Sequence, residues 1–275
     1  MSKGPGLFSE IGKKAKDLLT KDYSSDQKFT VSTYSGVGVG LTSTAVKKGG
    51  LSSGDIAAQY KYKNTIFDVK VDTESNIFTT ITISEIAPST KTIASFTLPD
   101  YSSSKLEVQY FHEHTTFTTA MALKQSPIID LTGTIGTPTF AIGAEAGYDT
   151  ASGNFTKYNA GLSVAKPDSI VSIIFADKGD MLKASLVHHV APLRSAGVVE
   201  ITRRFSTNEN TFAVGASYSF DQLTVLKTRL NNHGQVGALL QHELKPKSIL
   251  TISSEFDTTS LDKTPKFGLA LALKG

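Results

Sequence analysis

The sequence contains no cysteine, no tryptophan and only 3 methionines among its 275 residues. The absence of cysteine excludes disulfide bonds, thiolate chemistry, cysteine-ligated zinc and iron–sulfur clusters. Long apolar runs are also absent, since no stretch reaches the roughly 18 residues that indicate a transmembrane helix. The first residues lack the apolar region of a secretory signal peptide. We therefore expect neither a transmembrane helix nor a secretory signal.

Charge of either sign is sparse. Charged residues make up 19% of the chain, hydrophobic residues make up 39%, and the formal net charge is +3. This composition is typical of a folded protein rather than a disordered one. The small positive excess suits a surface or channel that tolerates anions, but it is too weak to indicate nucleic acid as a partner.

One short amphipathic helix is predicted near the N-terminus, over residues 7–20. The stretch "LFSEIGKKAKDLLT" places apolar residues at the spacing of one helix face, with lysines among them. It contains Glu10 and Asp17 and no arginine, whereas mitochondrial presequences are rich in arginine and poor in acidic residues. We therefore expect the helix to belong to the mature fold. The apolar residues are Leu7, Phe8, Ile11, Ala15, Leu18 and Leu19, and the nearby lysines are Lys13, Lys14, Lys16 and Lys21.

From residue 28 onward, apolar residues recur at every second position, which is the period of a β-strand. Phe67, Val69 and Val71, for example, alternate with Asp68 and Lys70. Turn signals rich in Gly, Pro, Asn and Ser interrupt this pattern about every 12 to 14 residues. The spacing predicts about 19 strands over residues 28–275. No linker or change of composition divides the chain, so residues 1–275 are expected to form a single domain.

The two faces of the predicted strands differ in a way that favours a membrane barrel. One face carries Ile, Leu, Val, Phe and Tyr, and the other carries Gly, Ser, Thr, Asn and scattered charge. This alternation suits an outer face toward lipid and an inner face toward water. Closure removes the edges that an open sheet of so many strands would leave, and lipid requires it. We therefore predict an all-β transmembrane barrel, with a soluble all-β protein as the alternative.

The stretch "YSFDQLTVLKTRLNNHGQVGALL" closely resembles the signature of the voltage-dependent anion channels, which are the mitochondrial porins of eukaryotes. Gln222 departs from that signature, because a small residue or proline is usual there. The opening "GPGLFSEIGKKAKDLLTKDY" and the closing "GLALALKG" resemble plant members, so the resemblance covers the whole chain. The matching signature residues are Tyr218, Asp221, Thr224, Thr228, Arg229, Leu230, Asn231, Asn232, Gly237, Ala238 and Leu240.

This resemblance implies a barrel of about 19 strands with the N-terminal helix inside its lumen. It also implies a voltage-gated, weakly anion-selective diffusion pore for small metabolites and ions, such as ATP, ADP and phosphate, in the mitochondrial outer membrane. The implied partners are membrane lipids, these anionic permeants and further copies of the chain. No cofactor, metal or enzymatic activity is expected. A polypeptide-import barrel of the same membrane and a soluble lipid-binding β-barrel are the alternatives.

The resemblance and the charge pattern together predict which residues face the pore. The resemblance implies that the helix docks its apolar face on the inner wall and turns its lysines toward water, with a helix lying on the membrane surface as the alternative. Mixed charge on the strands predicts a weak, summed preference for anions. Gating needs little charge movement, since one elementary charge crossing 100 mV corresponds to about 2.3 kcal/mol. The predicted pore-lining residues are Lys13, Lys16, Lys21, Lys61, Lys70, Lys227 and Arg229, and the predicted docking face is Leu7, Phe8, Ile11, Ala15 and Leu18.

Two departures limit what the resemblance implies. The stretch "KDYSSDQ" after the helix contains no glycine, whereas animal members have a glycine-rich hinge there. A gating mechanism that requires such a hinge is therefore not expected. Val69 stands where animal members carry a glutamate on the lipid face. Because valine cannot ionise, hexokinase docking that depends on this carboxylate is not expected.

Other motifs are weaker. The stretch "GVGVG" at residues 36–40 lacks the following Lys-Ser/Thr of a phosphate-binding loop, and predicts a flexible strand or hairpin. His112 and His114 share one strand face, but without an evident third ligand they do not predict a metal site. No nucleophile elbow accompanies the Ser, His and Asp residues, so no hydrolase is predicted.

Overall fold

The structure is a computed structural model that describes residues 4–190, 195–260 and 264–275. Its 19 β-strands form one sheet in which every strand pairs with its neighbours in the chain, which confirms the predicted architecture. The first strand begins at Gln27, one residue before the predicted start. The strands are β1 Gln27–Tyr34, β2 Val39–Lys48, β3 Leu51–Tyr62, β4 Thr65–Asp72, β5 Ile77–Ser84, β6 Thr90–Leu98, β7 Lys105–Phe111, β8 Thr115–Ala122, β9 Ile128–Gly136, β10 Phe140–Asp149, β11 Asn154–Ala165, β12 Ser169–Ala176, β13 Met181–Val190, β14 Ser195–Arg204, β15 Glu209–Ser219, β16 Thr224–Asn231, β17 Gln235–Lys245, β18 Ser248–Asp257 and β19 Lys266–Lys274.

The odd number of strands determines how the sheet closes. Consecutive strands run antiparallel, so the first and last strands of an odd set run in the same direction. Strands β1 and β19 accordingly pair in parallel, from Gln27 opposite Leu269 to Ser32 opposite Lys274. The closed sheet pairs its backbone groups around the whole circumference, as a wall surrounded by lipid requires.

The outer and inner faces of the barrel follow the sequence alternation. On β4, the side chains of Phe67, Val69 and Val71 point outward and are 39%, 37% and 42% exposed. Asp68 points inward and accepts a hydrogen bond from Gln59 Nε2 on β3 at 2.7 Å. Large apolar side chains that are exposed around a polar interior indicate a lipid-facing outer surface.

The predicted helix is divided in two. A 3-10 turn, Phe8–Glu10, precedes helix α1, Lys13–Thr20. Gly12 lies between them with a φ of 73°, a left-handed conformation that glycine adopts without strain. Apolar spacing did not reveal this break, because one glycine changes the direction of the chain without removing an apolar residue. In the part of the chain that is described, no helix is long and apolar enough to cross a membrane.

The two minor motifs lie in hairpin connections. The glycine-rich stretch forms the β1–β2 turn, where the Ser35 N–H donates to Val39 O at 2.7 Å. The residues of "HEH" connect β7 to β8, where the His112 N–H donates to Thr115 O at 2.8 Å. Both motifs therefore have a local structural role in the chain reversal.

Candidate functional site

Residues 4–26, called the N-terminal segment below, run along the inner wall of the barrel. Near its start, Thr116 Oγ1 on β8 donates a hydrogen bond to Gly6 O at 3.0 Å. The 3-10 turn contacts β9 and β10, and α1 contacts β13 to β16. Near its end, the Ser253 hydroxyl on β18 donates to Ser24 O. The segment thus covers the wall from β8 to β18 and narrows the lumen from one side.

Three wall glycines, called the glycine seats below, make room for apolar side chains of the segment. A Cβ atom on Gly143 of β10 would lie 2.8 Å from Phe8 Cδ2, and one on Gly161 of β11 would lie 3.3 Å from Phe8 Cε2. A Cβ atom on Gly215 of β15 would lie 2.9 Å from Leu19 Cδ2. Inward-facing glycines here therefore contact the segment, although the sequence pattern indicated only that their face was polar.

The apolar contact of α1 is centred on Ala15 and Leu19, which pack with Val187 on β13 and Val198 on β14. Burying a leucine side chain contributes about 1.5–3 kcal/mol, so this contact holds the helix to the wall. The predicted docking face included Leu18 and omitted Leu19, and this was wrong for Leu19, which is buried, whereas Leu18 is only partly buried beside the same cluster. Adjacent helical residues differ by about 100° around the axis, and spacing alone could not choose between the two leucines. Of the predicted docking residues, the structure buries Phe8, Ile11 and Ala15 and leaves Leu7 and Leu18 partly exposed.

The lysines of the segment lie on its exposed side. Lys13, Lys16 and Lys21, which were predicted to line the pore, are exposed, and so is Lys14. Within the described residues, no carboxylate pairs with any of these four lysines. None of these four lysines is therefore held in a direct ion pair with a described residue.

Several wall cations, in contrast, pair with carboxylates on neighbouring strands. Lys70 Nζ on β4 lies 3.2 Å from Asp55 Oδ2 on β3, and Lys183 Nζ on β13 lies 3.0 Å from Glu200 Oε1 on β14. Lys61 is exposed on the inner face of β3. Water-exposed ion pairs contribute only about 0–1 kcal/mol to stability. Their main effect here is electrical, since opposite charges at such distances produce little net field in the lumen.

A polar network of the wall lines the same cavity as the 3-10 turn. Lys157 Nζ on β11 lies 3.3 Å from Asp130 Oδ1 and 3.5 Å from Glu145 Oε2. Lys105 Nζ on β7 lies 3.0 Å from Glu107 Oε2. Lys91 on β6 also acts electrostatically on Glu107, so three lysines balance the three carboxylates of this part of the wall.

Lys227 and Arg229, the two β16 cations predicted to line the pore, are covered by the N-terminal segment. Lys227 Nζ lies 3.6 Å from Asp22 Oδ2. Arg229 donates from Nη1 to Leu19 O at 2.8 Å and from Nη2 to Glu255 Oε2 at 3.0 Å. Both side chains point inward, as the strand alternation predicted, but the segment lies between them and the open lumen.

Two signature carboxyl and amide groups build turns. Asp221 Oδ1 accepts hydrogen bonds from the N–H groups of Leu223 at 2.7 Å and Thr224 at 2.6 Å. These bonds hold the pKa of the Asp221 carboxyl below its usual value, and the bond from the Leu223 N–H has the largest effect. Asn231 Oδ1 accepts from the His233 N–H at 3.1 Å in the next turn. These hydrogen bonds fix the two ends of β16.

Other signature residues act on neighbouring strands and on the outer face. Asn232 donates from Nδ2 to Asn210 O at 2.8 Å, which connects the β16–β17 turn to β15. Tyr218 points outward and packs edge-on against Phe220 at a centroid distance of 5.1 Å. Gly237 faces inward on β17, where a Cβ atom would lie 2.8 Å from the Arg229 side chain. The signature therefore describes turns, an outer aromatic pair and the surroundings of one arginine.

Sequence reasoning did not identify Tyr23 and Glu255 as partners of Arg229. The Tyr23 ring centroid lies 4.4 Å from the Arg229 guanidinium carbon. Burial raises the pKa of Tyr23 to about 12, with Arg229 opposing, so the phenol stays neutral and the contact is a cation–π contact. The strand register would have identified Glu255 as a partner of Arg229. Gly237 is opposite Arg229 on one side and opposite Glu255 on the other, so two long side chains can meet over a glycine.

A bulkier residue at a glycine seat should displace the segment. Gly143→Ala places a Cβ atom 2.8 Å from Phe8 and 2.9 Å from Gly133 O, so one of these neighbours must move. In a cysteine-free chain, Ile11→Cys supplies a single buried thiol, and we expect Gly143→Ala to increase its rate of modification by a water-soluble thiol reagent. Gly197→Ala is the control, because a Cβ atom there meets nothing within 4 Å. Equal rates in the two variants would contradict the seating of the segment on Gly143.

Comparison with known proteins gives consistent matches over the whole chain. A family model described as "Eukaryotic porin" matches residues 4–268. "Mitochondrial outer membrane protein porin 2" of Arabidopsis thaliana is 64% identical over 275 residues, which is 100% of both chains. "Mitochondrial outer membrane protein porin 5" of Oryza sativa subsp. japonica is 61% identical over 273 residues, or 99% of each chain. "Outer plastidial membrane protein porin" of Pisum sativum is 50% identical over 275 residues, again 100% of both chains.

Proposed function

The chain belongs to the eukaryotic porin family, and on this premise we propose that it forms a water-filled pore for small metabolites and ions in the mitochondrial outer membrane. One observation carries the proposal, a closed barrel of 19 strands with an apolar outside and a polar inside. Barrels of about 16 to 18 strands already leave an aqueous channel. The family and the fold indicate a channel rather than an enzyme, and they favour diffusion of small solutes over polypeptide import or soluble lipid binding.

The names of the more similar relatives support the mitochondrial outer membrane as the location. The Arabidopsis and rice proteins, at 64% and 61% identity, are both named for that membrane. The pea protein, at 50% identity, is named for the outer membrane of the plastid. The higher identity of the first two favours the mitochondrial location for this chain.

A weak preference for anions such as ATP, ADP and phosphate is the selectivity we propose. Lys13, Lys16 and Lys21 are exposed on the N-terminal segment and form no ion pair within the described residues, and we place them beside the water path. The wall pair of Lys70 and Asp55 contributes little net field. Since water in the lumen keeps the dielectric high and salt screens charge, the preference arises from summed potential rather than from a binding site.

Closing at high voltage of either sign is the second part of this proposal. Helix α1 carries three lysines and one aspartate, a net charge of +2, within the lumen, where the transmembrane field acts. Because moving one charge through 100 mV corresponds to about 2.3 kcal/mol, displacement of a few charges is sufficient for gating.

Partners of the outer face are also proposals. Membrane lipids contact the apolar exterior, and further copies of the chain are candidates for side-by-side association there. Val69 points outward on β4 and carries no ionisable group. The outer face at this position therefore lacks the carboxylate on which hexokinase docking in animal members depends.

Recording from a planar bilayer tests the proposed function. Reconstituted protein is expected to produce stepwise currents, a reversal potential that indicates anion preference in a salt gradient, and closing at both polarities. Protein with a native far-ultraviolet circular dichroism spectrum that inserts into vesicles without conducting would contradict the pore. Conductance without ion preference would leave the pore standing and contradict the proposed role of the lysines.

A further inference from the structure

Arg229 is enclosed by the end of α1, the residues that follow it and two neighbouring strands. Its guanidinium donates to Leu19 O at 2.8 Å and to Glu255 Oε2 at 3.0 Å. Its carbon lies 4.4 Å from the centre of the Tyr23 ring. Gly237 provides the space for its aliphatic part, since a Cβ atom there would lie 2.9 Å from Arg229 Cγ.

The bond to Leu19 O has a specific meaning for the helix. The last carbonyl groups of a helix have no partner within the helix and carry the negative end of its dipole. A cation that donates to such a carbonyl stabilises the helix end and fixes its position. Arginine suits this task because its planar, rigid group offers several N–H donors at once, so it can also bind Glu255.

The residues after the helix, here called the linker (residues 21–26), are fixed at further points. Asp22 Oδ2 lies 3.6 Å from Lys227 Nζ and accepts from Gln241 Nε2 at 3.3 Å. Ser24 O accepts from the Ser253 hydroxyl, and Gly268 on β19 lies so close to Ser24 O that a side chain would not fit. Strands β16 to β19 therefore hold a linker that contains no glycine.

We propose that Arg229, Glu255 and the Leu19 carbonyl form a latch that holds the C-terminal end of α1 and the linker against β16–β18. Arg229 is thus a positioning residue for the pore helix rather than one of the cations that select anions. The linker cannot serve as a free hinge while the latch is closed, so movement of the helix end during gating requires the latch to open. The requirement that the latch open during gating rests on the proposed voltage-gated pore, whereas the attachment of the helix end to the wall does not.

A spin label at position 20 tests the latch without any electrical measurement. Thr20→Cys gives a unique exposed label site at the end of α1, because the natural chain has no cysteine. Arg229→Gln removes a charge-assisted bond, and we expect the detached population of the helix end to rise about tenfold or more. Lys61→Gln is the matched control, since it also removes one inward charge but lies on β3, away from the segment. Label mobility that is the same in Arg229→Gln and Lys61→Gln would overturn the proposal.

Two further variants separate the latch from charge and from folding. Arg229→Lys keeps the charge but cannot reach both Leu19 O and Glu255, so it should mobilise the label. Glu255→Gln keeps the bond to Leu19 O, so it should mobilise the label less than Arg229→Gln, in a barrel that assembles normally. If the label stays immobile in Arg229→Lys, the latch does not require simultaneous bonds to Leu19 O and Glu255, and this part of the proposal is overturned.

Bilayer recording then examines the gating consequence. Arg229→Lys should retain the wild-type reversal potential and close at lower voltage, whereas Lys61→Gln should shift the reversal potential and close at the wild-type voltage. A mobile label combined with unchanged closing voltage would overturn the link from latch to gating. Wild-type protein that never closes with voltage would defeat the proposed gating, and the spin-label comparison would still decide whether the latch exists.

Discussion

The Thr79→Arg substitution is expected to impair assembly of the barrel in a bilayer, whereas Thr80→Arg next to it is expected to be tolerated. Thr79 lies on β5 opposite Val69 on one side and Phe96 on the other, both of which are exposed on the outer face. An arginine on the lipid face near the bilayer centre costs about 2–4 kcal/mol. Thr80 is opposite Asp68, on the inner face, where water and a carboxylate can receive the cation.

The two variants form a closely matched pair because residue type, strand and introduced charge are identical. The free energy of unfolding can be measured in lipid vesicles by urea titration, with insertion followed by protease protection. We expect the loss of stability in Thr79→Arg to exceed that in Thr80→Arg by about 2 kcal/mol or more. Equal losses, or a larger loss in Thr80→Arg, would reverse the assignment of the lipid and water faces.

Reversal of the three segment lysines should lower or invert the anion preference. Lys13→Glu, Lys16→Glu and Lys21→Glu together change the formal charge by six units, from +3 to −3. All three side chains are exposed on a segment inside the barrel, where the permeant ion passes within a Debye length of about 10 Å at 0.1 M salt. The measurement is the reversal potential in a salt gradient. It should move toward the equilibrium potential of the cation.

A control with the same net charge change isolates the effect of position. Lys63, Lys178 and Lys247 lie in turns at the ends of the barrel, and each is exposed and has a positive φ. Their joint reversal to glutamate should shift the reversal potential much less, because bulk electrolyte screens charge at the rim. Equal shifts in the two triple variants would show that net charge, and not the lumenal segment, controls selectivity.

Much of the barrel was predictable because strand formation depends on local alternation and turn residues. The pattern around Phe67, Asp68 and Val69 identified the two faces of β4, and the same reasoning predicted the number of strands. The helix was also predictable, but its division at Gly12 was not, because apolar spacing hardly changes across the break. The choice of Leu19 over Leu18 as the buried residue depended on the wall opposite, which includes Gly215.

The lumenal cations share one face in the sequence pattern but have different contacts in the structure. Alternation placed Lys61, Lys70 and Arg229 on the inner face, and the structure has each of them there. The three nevertheless differ in what they contact. Lys61 is exposed, Lys70 pairs with Asp55, and Arg229 binds the helix end. Lys70 is exposed as well, so only a cation that is both exposed and free of a paired carboxylate can act strongly on a passing anion.

The sequence by itself determined the strands, their two faces and the presence of a basic amphipathic helix, because these depend on residues that are neighbours in the chain. The tertiary structure decided which charges remain free, because that depends on residues that meet only after the sheet has closed. Leu19 and Arg229 are 210 positions apart, and their contact exists only because the barrel wall curves around the helix. A local sequence pattern contains no information about contacts between residues so far apart in the chain, so only the folded structure shows the contact of Arg229 with the helix end.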